Sequence, residues 1–114
     1  MAMKGAEQAT QDAIRVKLAQ AGYVVFRTNV GKVKTADGRW FDSGLPTGFP
    51  DLVGYKPENG RIFFIEVKTK TGKPRADQIK FHLLLQEHGV THGICRSPED
   101  AIKVVKEGLI GYGY

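Results

Sequence analysis

At its centre the chain reads Ile62-Phe63-Phe64-Ile65-Glu66-Val67-Lys68, an apolar run that ends in an acid and a base. Side chains alternate between the two faces of a strand, and both faces of this run begin apolar, which predicts a central β-strand. Glu66 and Lys68 then point the same way at its end. Because charged groups are costly to bury unless a partner or a metal ion compensates them, this pair indicates a functional site.

Asp51, in the run Gly48-Phe49-Pro50-Asp51-Leu52-Val53, is predicted to approach that pair. The segment 52–56 resembles a strand and 57–60 has the composition of a tight turn, so a hairpin would fold Asp51 back towards Glu66 and Lys68. Two carboxylates facing one cavity suit a hard divalent cation such as Mg²⁺, and a lysine beside it can orient water or offset charge on a phosphate. The alternative is a turn-capping Asp51 and a surface Glu66–Lys68 pair that contributes little.

These motifs resemble those of a known nuclease family. Pro50-Asp51 followed by Glu66-Val67-Lys68 resembles the PD-(D/E)xK nuclease signature. The continuation from Lys73 to Gly89, with Gln78 and an apolar triplet at 83–85, resembles its virus-type replication-repair nuclease (VRR-NUC) branch. The resemblance covers about residues 5 to 96 and implies a restriction-endonuclease-like α/β fold and a nuclease that depends on Mg²⁺ or Mn²⁺.

The resemblance also implies a role for individual residues. Asp51, Glu66, the backbone carbonyl of Val67 and Glu7 from the first helix would hold the metal ion. Lys68 would be the catalytic base or an electrostatic stabiliser, and Gln78 would lie close to Lys68, orienting it or contacting the scissile phosphate. Glu7 has a second interpretation, since an acid near a helix start is favoured by the helix dipole alone.

The pattern of the remaining chain predicts one α/β domain over residues 1–114, with the order αβββαβα and a central mixed sheet flanked by helices. The first helix is expected over 5–21, ended by Gly22, and a strand over 23–29. A helix over 74–88 with Pro74 in its first turn leads to a strand over 91–96. A last helix begins at a Ser97 cap, and residues 108–114 are interpreted as a tail.

The net charge of +5 is concentrated in two segments. Residues 27–41 carry four basic residues against one acid, and residues 67–80 carry five against one. Concentrated basic charge around an acidic pocket favours binding of a nucleic-acid backbone, although charge runs are often only solvated surface. The residues predicted to contact DNA are Arg27, Lys32, Lys34, Arg39, Lys70, Lys73 and Arg75.

The stretch from Gly31 to Phe49 is irregular, and its residues 32–34 and 39–41 are predicted to form a hairpin around 36–38. This hairpin would lay basic and aromatic side chains on one ribbon. Trp40 either anchors contact with DNA or a second subunit, or packs in the core of its own chain, and the sequence leaves both open.

The three histidines and the lone cysteine do not have the spacing of zinc ligands, so packing or surface roles are predicted for His82, His88, His92 and Cys95. The chain shows no signal peptide and no apolar run near the roughly 20 residues needed to span a bilayer. The expected location is the cytoplasm, without membrane contact.

The function that the resemblance implies is a structure-selective DNA endonuclease that cuts four-way (Holliday) junctions in DNA repair as a homodimer. A small chain with one site would need two copies to cut two strands symmetrically. The alternatives are a catalytically inactive nucleic-acid-binding module and an accessory subunit of a replication or repair complex.

Overall fold

The computed structural model describes residues 2–114, and the side chains of all of these except 2–4, 32 and 33. The order of elements along the chain is α1 (Ala2–Gln20), β1 (Val24–Arg27), β2 (Lys32–Lys34), β3 (Trp40–Asp42), β4 (Leu52–Tyr55), β5 (Ile62–Val67), α2 (Ala76–Glu87), β6 (Thr91–Cys95), α3 (Pro98–Glu107) and β7 (Ile110–Tyr112). No described helix is both long enough and apolar enough to cross a membrane.

The main sheet is mixed and has five strands in the order β1-β4-β5-β6-β7, with β5 in the middle. Strands β1, β4 and β5 are antiparallel, whereas β5, β6 and β7 run parallel. The parallel step from β5 to β6 passes through α2, because parallel strands need a long crossover. The predicted mixed sheet with flanking helices and the predicted central strand are confirmed. Strands β2 and β3 form a separate ribbon.

The main hydrophobic core lies on one face of this sheet, under α1 and α3. The core-facing residues of β5 are those with odd numbers, Phe63, Ile65 and Val67, as the alternation of a strand requires. Helix α1 contributes Ile14 and Leu18, both with no exposed surface. Contacts are close enough that a Cβ atom at Gly54 would lie 2.5 Å from the ring of Phe63. Only glycine fits there.

Helix α2 covers part of the opposite face, the side to which Phe64 and Glu66 point. Phe49 joins the loop before β4 to this layer, because its ring makes edge contacts with Phe64 at 5.6 Å and with Phe81 of α2 at 4.8 Å between centroids. Helix α2 does not cover all of this face. Apolar side chains of β1, β4 and β5 remain exposed to solvent there: Phe26 is 57%, Tyr55 40% and Ile62 55% exposed.

Two sequence predictions about the chain's connections were wrong. Pro74 does not lie in the first turn of α2, which begins at Ala76 after Arg75, whose extended backbone precedes the helix. Residues 108–114 are not simply a tail, because 110–112 pair with β6 as strand β7. The hydroxyl of Tyr112 also donates to Asp100 at 3.0 Å, which ties β7 to α3. Alternating glycines hide the strand pattern in this segment.

The start of α3 follows the prediction. The Ser97 side chain accepts a hydrogen bond from the Asp100 backbone N–H at 3.1 Å, and Pro98 takes the first helical position. Gly108 ends the helix in the left-handed conformation that favours glycine. The helix therefore has both of its capping signals in the sequence.

Candidate active site

Sheet register places Asp51 beside the end of β5. Leu52 pairs with Ile65 in the antiparallel β4–β5 ladder. Asp51, the residue before Leu52, therefore lies level with Glu66, the residue after Ile65. The Val67 backbone N–H donates to Asp51 Oδ2 at 2.7 Å, which fixes the carboxylate. Thr28, next to β1, donates its hydroxyl to the Pro50 carbonyl at 2.7 Å and holds the backbone. The predicted approach of Asp51 to the Glu66 strand is confirmed.

Glu66, Lys68 and Gln78 form a buried polar group at the same end of the sheet. Their residues are only 2%, 7% and 5% exposed. The Gln78 side-chain N–H donates to Glu66 Oε2 at 2.8 Å, and Lys68 Nζ lies 3.5 Å from the same oxygen. The alternative of a surface Glu66–Lys68 pair is therefore wrong. Gln78 was predicted to lie close to Lys68 and to orient it or contact the scissile phosphate. Its side-chain N–H donates to Glu66 Oε2, the oxygen that Lys68 Nζ also approaches, so Gln78 and Lys68 meet at one carboxylate oxygen.

The start of α2 orients Gln78 at its other end. Its side-chain oxygen accepts from the Arg75 backbone N–H at 2.9 Å, so one amide caps the helix and holds Glu66. Gly48 packs against the same helix start, where a Cβ atom would lie 2.4 Å from the Asp77 carbonyl oxygen. Its φ of 89° is in the left-handed region as well, so this wall of the site requires glycine.

A cavity of about 210 Å³ opens onto these groups. Glu7 of α1, half-buried, lines it together with Asp51, Glu66, Lys68, Gln78 and Arg75. The volume corresponds to roughly seven water molecules at about 30 Å³ each. That space is suitable for a hydrated ion and part of a phosphate group.

Burial is the main cause that raises the pKa of Glu66 to about 9. The nearby Asp51 carboxylate raises it further, and Lys68 lowers it by less than Asp51 raises it. Two carboxylates so close in a dry setting cannot both ionise easily. Without a cation Glu66 therefore keeps its proton at neutral pH. A divalent cation between Glu66 and Asp51 would favour the ionised form of both.

The available ligands suit an ion such as Mg²⁺, which binds few protein groups and several waters, better than a metal ion whose ligands all come from the protein. Among the described residues, no three His, Cys, Asp or Glu side chains are close enough together to hold a metal. Asp51 and Glu66 offer two carboxylates, and Glu7 lines the cavity without joining them in such a cluster. Mg²⁺ is commonly bound by one or two carboxylates and completes its shell with waters and substrate phosphate, so this pair is sufficient.

One of the predicted DNA-contacting residues lines the cavity, and the others with described side chains are exposed on nearby segments of the chain. Arg75 lines the cavity, is 65% exposed in its side chain and lies 3.3 Å from Asp77. Lys70 and Lys73 are exposed on the connection between β5 and α2. The other predicted DNA contacts, Arg27, Lys34 and Arg39, are exposed on or beside β1, β2 and β3, and the side chain of Lys32 lies outside the described part.

Arg96 is a residue that sequence reasoning missed. Its guanidinium donates to the carbonyls of Thr69 at 2.5 Å and Gly72 at 2.6 Å, so it holds the connection that carries Lys70 and Lys73. Arg96 directly follows β6, the parallel neighbour of β5, and that adjacency was the signal in the sequence.

The three histidines and the cysteine do not line the cavity. His82 Nδ1 and His92 Nε2 are 2.8 Å apart, and the Tyr114 ring stacks on His82 with centroids 3.9 Å apart. Burial lowers the pKa of His92, so its neutral form is favoured. Cys95 is buried, whereas His88 is exposed on the surface. The predicted packing and surface roles agree with these positions.

A family model described as the VRR-NUC domain matches residues 5–99. A solved structure described as a VRR-NUC domain superposes with a TM-score of 0.66 at 24% sequence identity, covering 91% of this chain and 98% of the other. No curated protein matches the sequence. The structural match supports the fold.

Proposed function

The chain belongs to the VRR-NUC domain family and so carries a nuclease-type domain, and from this premise we propose a divalent-metal-dependent, structure-selective DNA endonuclease. A nuclease domain implies DNA as substrate, and nuclease domains of this family generally use divalent metal ions. The finer proposal is that it hydrolyses phosphodiester bonds at branched DNA, including four-way junctions. We also propose that residues 1–114 act as one domain in the cytoplasm.

One observation carries the proposal. Asp51, Glu66, Lys68 and Gln78 come from three different elements or their edges, yet all four line one cavity at the end of β5. Burying this many polar groups is unfavourable unless they are hydrogen-bonded, paired or bound to a metal ion, because each must be desolvated. Perturbed and clustered ionisable groups in a cleft mark functional sites.

Asp51 and Glu66 would hold the metal ion, with the Val67 carbonyl and Glu7 as further proposed ligands. A bound Mg²⁺ or Mn²⁺ would polarise the phosphate and offset its negative charge. Gln78 keeps Glu66 in place through its 2.8 Å hydrogen bond. The Val67 N–H does the same for Asp51 at 2.7 Å. Both carboxylates are thus oriented before substrate arrives, which reduces the reorganisation needed for catalysis.

Lys68 is the proposed group for the reaction itself. During hydrolysis the water oxygen bonds to phosphorus, one P–O ester bond breaks, and the water loses a proton while the leaving oxygen gains one. Lys68 either accepts the proton of the attacking water as a neutral amine or stabilises the developing negative charge as an ammonium. The pH dependence of kcat distinguishes the two roles, because only the first requires the lysine to be deprotonated.

Homodimer formation is proposed through the uncovered sheet face. Phe26, Tyr55 and Ile62 lie on β1, β4 and β5 on the face that α2 leaves open. Exposed apolar patches of this kind mark interaction surfaces. The test is light scattering of the natural chain and of Ile62→Lys. A monomer mass for the natural chain, with DNA present or absent, would exclude the dimer.

The central experiment is incubation of a labelled four-way junction with Mg²⁺ or Mn²⁺, using the natural chain and Lys68→Ala. Cleavage by the natural chain that is lost in Lys68→Ala and after chelation with EDTA supports the enzyme. Binding of the junction by both chains without cleavage favours the inactive binding module. Cleavage that appears only when another protein is added favours the accessory subunit.

A further inference from the structure

The ribbon formed by residues 32–42, here called the aromatic hairpin, carries the most exposed large hydrophobic residue of the described part. Trp40 is 68% exposed and Phe41 is 49% exposed. The two residues are neighbours on β3, so they point to opposite faces of the ribbon. The interpretation in which Trp40 packs in the core of its own chain is therefore wrong, and its indole is free to bind.

The tip of the aromatic hairpin is held by its own hydrogen bonds. The Thr35 N–H donates to the Arg39 carbonyl at 2.6 Å, and the Gly38 N–H donates to the Thr35 carbonyl at 3.0 Å. The Asp37 carboxylate accepts from the Thr35 hydroxyl and from the Arg39 guanidinium, the latter at 2.8 Å. Trp40 directly follows this closed turn, so its backbone is ordered without help from the core.

Both ends of the aromatic hairpin reach the candidate active site. Val30 and Gly31, just before β2, and Thr47 and Gly48, after β3, all line the catalytic cavity. Trp40 pairs with Lys34, three residues beyond Gly31. At about 3.3 Å per residue the indole is attached roughly 10 Å from the cavity rim. Successive nucleotides in one strand of duplex DNA are about 3.4 Å apart along the axis, so this distance equals about three nucleotides of duplex.

Charge on the aromatic hairpin favours a nucleic acid over a second copy of the chain. Directly opposite residues of an antiparallel pair share a face, so the Lys34 ammonium and the Trp40 indole lie side by side. Lys34 forms no ion pair with any side chain that the structure describes. The two acidic residues near Lys34 have other partners: Asp37 accepts a hydrogen bond from the Arg39 guanidinium, and Asp42 accepts one from the Gly44 N–H at 2.9 Å. A two-fold contact through this face would place like charges together.

We propose that Trp40 stacks on an unpaired or unstacked DNA base about three nucleotides from the bond that is cut, while Lys34 binds the adjoining phosphate. Base stacking on an aromatic side chain tolerates any base, because every base presents a π-face. A fully paired, stacked duplex offers no such base, so the contact selects branched or bulged DNA by shape. This inference rests on the proposed nuclease function and assigns its substrate preference to Trp40.

The test uses the Lys68→Ala chain in EDTA, so that DNA is bound without being cut. Trp40 is the only tryptophan of the chain, so fluorescence excited at a wavelength that tyrosine does not absorb reports on this residue alone. We expect a four-way junction and a duplex with a one-base bulge to quench the emission, and the fully paired duplex to leave it nearly unchanged. Adding Trp40→Ala is expected to weaken binding of the first two about 10- to 100-fold and of the paired duplex less than about 3-fold. Trp40→Phe should restore part of the affinity.

A matched control moves the tryptophan to another exposed position. Val16 is 55% exposed on α1, on the other layer of the molecule, so Trp40→Phe with Val16→Trp should show no quenching specific for branched DNA. Equal quenching by all DNAs, or an equal loss of affinity for all DNAs in Trp40→Ala, would overturn the inference. So would emission that changes with protein concentration alone while DNA has no effect, since that result assigns the aromatic hairpin to contact between copies.

The same experiment separates this inference from the proposed function. If branched DNA quenches Trp40 but the natural chain with Mg²⁺ or Mn²⁺ cuts nothing, the nuclease proposal fails and the stacking inference holds. If the natural chain cuts junctions and Trp40→Ala cuts them equally well at all DNA concentrations, the nuclease proposal holds and the stacking inference fails.

Discussion

The candidate active site and the aromatic hairpin adjoin one another, yet the first is fixed by sheet register and the second by hydrogen bonds within residues 35–39. Asp51 meets Glu66 although the two residues are fifteen positions apart in sequence, through the β4–β5 pairing and the hydrogen bond from the Val67 N–H to Asp51. Asp37 and Arg39 instead hold the hairpin turn between neighbours. The active site therefore depends on the global fold, whereas the aromatic hairpin does not.

This difference suits the work proposed for each region. Groups that stabilise charge in a reaction must already be oriented when substrate binds, which a buried polar group achieves. A surface that meets DNA of variable shape gains from local construction, because it can shift without disturbing the core. We expect substitutions in the two regions to separate catalysis and stability from substrate selection.

The largest expected effect is that of Lys68→Ala on kcat. Removing the buried Lys68 amino group, 3.5 Å from Glu66, should lower kcat for junction cleavage by about 10³-fold, because an electrostatic or proton-transfer contribution is lost. Single-turnover kinetics measures this change, and the Kd for DNA should change less than about 3-fold. Lys17→Ala, an exposed lysine on α1, is the control. A kcat within about 3-fold of the natural value would remove Lys68 from the reaction.

Glu66→Gln tests the proton held in the active site. The pKa of Glu66 is raised from 4.5 to about 9 in the folded chain, so between those values the folded state holds a proton that the unfolded chain has released. Rising pH through this window then destabilises the metal-free protein, because ionisation favours the unfolded state. Glutamine cannot ionise, so the variant should be more stable at high pH.

We expect the free energy of unfolding of metal-free Glu66→Gln to exceed that of the natural chain by several kcal/mol near pH 8.5, with a correspondingly higher Tm, because each pH unit above 4.5 costs the natural chain about 1.4 kcal/mol. Near pH 4.5 the two chains should unfold at similar temperatures. Mg²⁺ should raise the Tm of the natural chain at high pH and have little effect on the variant. Parallel Tm curves against pH for both chains would show that Glu66 ionises normally.

The contrast between long-range and local bonding is tested directly by Thr28→Val and Asp37→Ala. Thr28→Val removes a buried hydrogen bond to Pro50 and should cost about 1 to 2 kcal/mol in global stability. Asp37→Ala removes bonds of the exposed turn and should change global stability by less than about 0.5 kcal/mol. Hydrogen exchange should nevertheless show faster exchange of the Arg39 amide. A similar Tm loss in both variants would mean that the turn supports the core.

The smallest expected effect concerns Lys73. Neutralising this exposed residue with Lys73→Gln should reduce the slope of log Kd against log salt by about one unit, because one fewer phosphate contact releases counterions. Affinity should fall only a few-fold at moderate salt, for all DNA shapes alike. Lys17→Gln serves as the control. An unchanged slope would place Lys73 outside the DNA path.

The parts of the fold that could be predicted from sequence are those with strong local patterns. The two apolar faces of β5 predicted its central place, and the turn at 57–60 brought Asp51 to Glu66. The partner of Gln78 could not be predicted, because it depends on how α2 packs across the sheet. Strand β7 was missed since glycines interrupt it. Pro74 was placed inside α2 because proline favours the first helical position, whereas here the extended Arg75 separates Pro74 from the helix.

Arg96 has a consequence for how variants of this chain should be interpreted. It does not line the cavity, yet its guanidinium fixes the carbonyls of Thr69 and Gly72 on either side of Lys70 and contacts the Lys70 carbonyl at 3.4 Å. Loss of its guanidinium would leave every residue of the nuclease motif intact. The connection that carries Lys70 and Lys73 would nevertheless lose the hydrogen bonds that hold it in place. We therefore expect a natural homologue that has the complete nuclease motif but no arginine at this position to bind DNA with lower affinity. A search for the motif alone would not detect this difference.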